Sequence, residues 1–328
     1  MKTKLISLLR TSGIIALAAA SLASSVSAAT KLVVGHDLWI GYSAVFIAQE
    51  KGYFKDAGLA VELKPFSNPG ETLPAMATGQ LDIGLTTVQN LVLLNGTSSS
   101  TAVAIALLDA SNGADAIVAK ASIKSLPALK GKKIGVTFGE VNHFLLLVAL
   151  EKAGLKDTDV SLVNMSADDA GAAFVAGQID AAVTWEPWVT KAKSAGGHTL
   201  FTSAEIPDTV IDCIAVPQAS VKAKRATYAA FIGAIDKGVA FLREHPAESH
   251  PLIGKYLGAG EADVKGMLEG DKIYSLADNR TLFGATGENA PAYATLRRVI
   301  DFTKGKGLIE RDVNPAALID ASIVRASK

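Results

Sequence analysis

The chain is poor in the residues that usually announce chemistry. It has a single cysteine in 328 residues, Cys213, which excludes an internal disulfide. That cysteine reads as a small buried hydrophobe rather than a reactive thiol. Neither sign of charge dominates: Lys+Arg and Asp+Glu both number 32, and there is no basic run. Nucleic acid and anionic membrane surfaces therefore have no obvious footing. No GxGxxG follows the first apolar run, and the GxxxxGK phosphate loop, the GxSxG nucleophile turn and the HExxH metal helix are all missing. His245 and His250 flank Glu248 beside Pro246 and Pro251, but not at helical ligand spacing. No metal or cofactor is expected. Aromatics make up only 6% of the chain, with 3 tryptophans, so the places where those three fall carry weight.

What is present begins with a leader. Lys2, Lys4 and Arg10 give a positive start, Gly13 to Ala20 is a short apolar run, and Val26-Ser27-Ala28 fits the small-residue cleavage rule. Residues 1–28 are expected to be removed. The remainder then holds 29 basic against 32 acidic residues. No later stretch reaches the ~18 uninterrupted apolar residues of a spanning helix. No cysteine stands just after the cleavage point to carry a lipid. A freely diffusing exported protein is expected, most simply a periplasmic one, and as a monomer.

The body alternates strands and helices. Apolar runs at 31–35, 60–65, 81–85 and 103–108 read as strands, with helices over 43–57 (Ser43 as N-cap, Gly58 past the end) and from Asn68-Pro69-Gly70-Glu71 to Gly79. The same order returns with strands at 134–137, 160–163 and 181–184 and helices at 142–153 and 167–176. Gly79-Gln80-Leu81-Asp82 reappears 98 positions later as Gly177-Gln178-Ile179-Asp180. Ala57-Gly58-Leu59 likewise matches Ala153-Gly154-Leu155, and two matches in one element order argue for two similar α/β lobes. A strand at 210–217 crosses back, and the helices at 222–244, 247–256, 261–269 and 291–305 are expected to return to the first lobe. Lobe one is then 29–114 plus 217–328, and lobe two is 115–216. The hinges are expected near 112–116 and 212–217.

Ligands of open α/β sheets bind beyond the carboxyl ends of the strands. All three tryptophans, Trp39, Trp185 and Trp188, fall there. Exposed indoles at such ends favour ligand stacking, while the plain alternative is that they plug the edge of the core. Asp37, Glu140, Glu186 and Asp212 fall at the same ends or on the returning strand, without Lys or Arg in those loops; Lys191 lies a helical turn further on. Aromatic faces with carboxylates suit an amine or other cation. Glu140 and Glu186 also stand where a helix cap would. Tyr42, Thr86, Thr87, Asn142 and His143 complete the candidate set. Helix N-termini near Thr86, Thr87 and Asn142 would favour an anion instead, and a zwitterion would use both features.

Three segments resemble one known family: 39–54 (Trp39-Ile40-Gly41-Tyr42 to Lys51-Gly52-Tyr53-Phe54), 77–84 and 176–187 are similar to the substrate-binding proteins of nitrate/sulfonate/taurine ABC importers. The resemblance implies a type II periplasmic binding protein fold: two similar α/β lobes joined by crossover hinge strands, closing on a small solute. It also implies a permease and an ATPase as partners. Relatives take up nitrate, sulfonates, taurine or pyrimidine precursors of thiamine. Family sites for simple anions tend to use a basic residue, and none is placed here, which moves weight toward an amine, an amidine or a zwitterion. The fold also carries a thiamine-pyrimidine synthase with a histidine-rich site. Only His143 is placed for a cleft here, so no enzyme is expected.

Overall fold

The computed structural model describes residues 29–99, 101–284 and 289–327; the expected leader, 1–28, lies outside them. In chain order the strands are β1 (Thr30–His36), β2 (Leu59–Pro65), β3 (Ile83–Thr87), β4 (Ala102–Ser111), β5 (Ala116–Lys120), β6 (Lys133–Val136), β7 (Ser161–Asn164), β8 (Ala181–Thr184), β9 (Gly197–Thr202), β10 (Ile211–Pro217) and β11 (Asp271–Ile273).

They form two sheets, ordered β11-β4-β10-β3-β1-β2 and β7-β6-β8-β5-β9. Each sheet has a parallel trio, β2-β1-β3 in one and β7-β6-β8 in the other. Beside each trio lies an antiparallel strand that arrives from the other sheet: β5 follows β4, and β10 follows β9. The chain thus crosses twice, at 112–115 and between Thr202 and Ile211. This is the periplasmic binding protein fold, with two α/β lobes of one plan.

The repeated Gly-Gln-Leu/Ile-Asp segment has the same physical job in both lobes. Gly79 and Gly177 take φ of 77° and 73°, which lets each preceding helix stop and turn into the next strand. The aspartates then clip their sheets together. Asp82 accepts the Val33 N–H at 2.9 Å and Asp180 the Lys133 N–H at 3.0 Å, each at a trio's central strand. Lys224 and Lys120 neutralise them respectively.

Several expectations need correction. The boundary expected at 216 cuts through β10, which hydrogen-bonds between β3 and β4 in the six-stranded sheet; the crossing placed at 212–217 lies earlier, at 203–210. The helix expected over 43–57 is two, Ser43–Glu50 and Tyr53–Asp56, parted by left-handed Gly52. Ser43 is the first helical residue rather than the cap, whereas Gly58 does follow the second helix with φ 74°. Asn68 is the N-cap of a 3-10 turn, Pro69–Glu71, without a side-chain cap bond, and the α-helix that follows runs Thr72–Ala77. β3 begins two residues later than the apolar run suggests, so Thr86 and Thr87 are strand residues.

The C-terminal helices do return to the first lobe. Phe231, on the helix Arg225–Glu244, stacks on Phe54 with centroids 5.0 Å apart. Gly238 lets that helix touch the backbone of Ser43–Glu50: a Cβ there would stand 2.2 Å from the Ala44 carbonyl oxygen. In the second lobe, β5 alternates: Ile117 and Ala119 enter one core with Leu146 and Val183, Ala116 and Val118 another with Phe174 and Ile179. The lobes touch each other through Phe144 and Phe302, edge to face at 4.7 Å, and through the Lys306–Glu151 ion pair at 2.7 Å.

Candidate functional site

The carboxyl ends of the parallel strands face each other between the sheets. Asp37 follows β1, Thr87 ends β3 and Trp185 follows β8. They enclose a small buried cavity, about 10 Å³, walled by Asp37, Trp39, Thr87, Asp115, Trp185 and Asp212, with Pro69, Val141 and Val210. No Lys or Arg is among these lining residues. Trp39 from one lobe meets Trp185 from the other edge to face, with centroids 6.0 Å apart and planes at 65°. Both indoles are buried, so the two readings of them merge: they are core across the lobes and wall of the cavity at once.

The electrostatics are one-sided. Asp37 Oδ1 is buried without a protein partner. Asp212 accepts the Tyr42 hydroxyl at 2.6 Å. Burial, and then repulsion from Asp212, pushes the Asp37 carboxyl well above the usual carboxylate range. Burial raises Asp115 to about 6 and Asp212 to about 7. Behind this row lie Asp109 of β4 and Asp271 of β11, raised first by burial and then by their acidic neighbours, Asp271 acting on Asp109 and Asp212 on Asp271. Trp39 Nε1 donates to Asp109 Oδ1 at 3.2 Å, while Asp109 Oδ2 and both Asp271 oxygens have no donor. Carboxylates gathered in low dielectric must hold protons or meet a cation.

The remaining candidates separate. Tyr42 stands behind the cavity as a support for Asp212. The Thr86 hydroxyl donates to the Pro69 carbonyl at 3.0 Å, and Thr87 caps the helix Val88–Thr97 by accepting the Asn90 N–H at 3.2 Å. Glu140 reaches across to the first lobe, where it accepts Asn90 Nδ2 at 2.6 Å. Asn142 is buried with Nδ2 unpartnered. His143 lies outside the acid cavity: its Nδ1 accepts the Gly139 N–H at 3.3 Å, and its ring stacks on Phe138 at 5.4 Å. Glu186 caps its own helix, accepting the Thr190 N–H and hydroxyl at 3.0 Å each. Trp188 Nε1 donates to Asp168 at 2.9 Å, and Lys191 lies 4.2 Å over its ring. Glu186 and Trp188 line a second cavity, about 200 Å³, on the other side of Trp185.

Residues 39–249 match the family described as NMT1/THI5 like. The chain belongs to the NMT1/THI5-like family. A Brucella abortus (strain 2308) protein, provisionally named a binding protein, is 30% identical over 240 residues, 70% of this chain and 72% of that one. The taurine-binding periplasmic protein of Escherichia coli (strain K12) is 31% identical over 152 residues, 46% of this chain and 47% of that one. The alkanesulfonate-binding protein SsuA from Xanthomonas axonopodis pv. citri, solved with bound MOPS, has a similar structure: TM-score 0.75 at 18% identity, over 90% of this chain and 99% of that one. That likeness establishes the fold.

In this NMT1/THI5-like chain the residues that sequence reasoning missed are Asp109, Asp115 and Asp271. A signal for Asp109 was visible, as a charge inside the otherwise apolar run Ala102–Ala110. Asp115 follows the Gly113 turn at the first crossing. Asp271 opens a three-residue strand that has no pattern of its own.

Proposed function

We propose that the protein is the exported solute-binding component of an ABC importer, and that its solute carries a protonated amine or amidine. The observation that carries this reading is the acid cavity: Asp37, Asp115 and Asp212 line it together with Trp39 and Trp185, and no basic residue faces it. An ammonium there would pair with carboxylates and lie against indole faces. The lobes, one made of the segments before the first crossing and from β10 onward and the other of the segment between the crossings, would close by rotation at those two crossings. A permease and an ATPase would receive the closed form. Family membership and the binding proteins among the relatives support a carrier rather than an enzyme.

A zwitterion is the second reading. Two helix N-termini, at Thr87–Val88 and Glu140–Val141, converge on the same cavity, and their partial positive charge would suit an acidic group. The E. coli relative is named for taurine, an aminosulfonate. Isothermal titration of the mature protein with amines, amidines, aminosulfonates and plain sulfonates tests both. Binding confined to plain sulfonates or nitrate would refute the cationic reading. Binding of aminosulfonates but not of simple amines would select the zwitterion.

A further inference from the structure

The loop after β1 alternates between two chambers. Asp37 and Trp39 face the acid cavity, while Leu38 and Ile40 face the larger one. Trp185 lines both. The two chambers are therefore separated by one loop and one indole, and both are walled by both lobes.

Their sizes differ in a telling way. The acid cavity, about 10 Å³, has room for about one water-sized group, which is the size of an ammonium. The outer cavity, about 200 Å³, is smaller than a drug-sized pocket but holds a small organic body. Its charged walls are already engaged: Asp168 with Trp188 Nε1, Glu186 with Thr190, Lys191 over the Trp188 ring. What it leaves free is apolar: Leu38, Ile40, Pro187, Leu257 and Met267. Leu38 is 43% exposed, an unusual position for a large aliphatic side chain beside a buried site.

We propose that the solute has two parts, a cationic head in the acid cavity and an apolar body that passes the edge of Trp185 into the outer cavity. This rests on the amine reading above and adds the class of the rest of the molecule: an alkyl or arylalkyl amine rather than a compact one. Leu38 and Trp188 then set selectivity for the body without touching the head.

The test is a series of straight-chain primary amines from methyl to hexyl, titrated against the mature protein, with the matched alkyl sulfonates alongside. The readout is the slope of log Kd against chain length. Each methylene buried in the outer cavity should tighten binding about four-fold until the cavity is full. Leu38→Ser, at an exposed position where folding is tolerant, should flatten that slope, and Trp188→Ala should flatten it further. Measurable methylamine binding with a flat slope would overturn the two-part solute and leave the acid-cavity reading standing. If no amine binds at any length, whatever the sulfonates do, both fall.

Discussion

Glu140 of the second lobe accepts a 2.6 Å hydrogen bond from Asn90 Nδ2 of the first. Its carboxylate also receives the Gly70 N–H, and a Cβ on Gly70 would stand 2.0 Å from Glu140 Oε1. Glu140 is therefore a bond between lobes rather than a group aimed at solute. Hydrogen bonds to a charged group contribute about 1.5–3 kcal/mol, and under the proposed hinge closure this one would break when the lobes part. Glu140→Ala should weaken solute binding by about tenfold or more and increase the radius of gyration of the unliganded protein in small-angle scattering. Gly70→Ala should do the same by displacing the carboxylate. Unchanged scattering and affinity in both would show that closure does not depend on this contact.

Asp212 illustrates a site held against the interests of the fold. It is buried among other acids and accepts the Tyr42 hydroxyl. An amide in its place keeps an acceptor for that hydroxyl and removes a charge that burial penalises. Asp212→Asn should therefore raise the melting temperature of the free protein while weakening cation binding at least tenfold. Differential scanning calorimetry and titration on one preparation measure both. A fall in stability together with intact binding would place Asp212 in the scaffold alone.

Two glycines within helices should respond oppositely to alanine. At Gly238 the added Cβ meets the Ala44 carbonyl 2.2 Å away, a backbone atom that cannot swing aside. Gly238→Ala should destabilise by about 1–3 kcal/mol. At Gly266, in the helix Glu261–Glu269, nothing lies within 4 Å. Gly266→Ala should stabilise by about 0.5–1 kcal/mol through helix propensity and lost unfolded-state freedom. Urea unfolding midpoints of the two variants check the signs.

The lobes were legible because periodicity repeats. Gly79 and Gly177, Asp82 and Asp180 do the same local work twice, and local work leaves a local pattern. β5, β9 and β11 were not read: Ala116–Lys120 is a short run directly after the first crossing, Gly197–Thr202 is half-buried and polar, and Asp271–Ile273 is three residues that pair only because β4 lies beside them. Of the candidate site, the pairing of indoles with carboxylates was legible and the full lining was not. Asp37, Trp39, Trp185 and Asp212 come together as their positions at strand ends imply. Glu186 and His143 do not, because a side chain beside a helix start bonds to its own turn when that partner is nearer, as Thr190 and Gly139 are. Asp115 joins at the first crossing, and Asp109 and Asp271 meet through the pairing of β11 with β4, which no local window reports.

The raised carboxyls make stability and binding respond to pH in opposite directions. In the folded state Asp115 titrates at about 6 and Asp212 at about 7, against 3.8 for an ordinary aspartate, because burial disfavours their charge. Between those values the folded protein holds protons that the unfolded chain has released, so stability falls as pH rises. Each group lowers it by at most about 1.4 kcal/mol per pH unit within its own window. The unliganded melting temperature should therefore decline from near pH 5 to pH 7. A cationic head needs the same carboxyls ionised, so its affinity should rise over that interval, and binding at pH 6 should release protons. Titrations at pH 6 in buffers of different ionisation enthalpy count those protons. Proton uptake on binding would contradict both the acid cavity's role and the charge assigned to the solute.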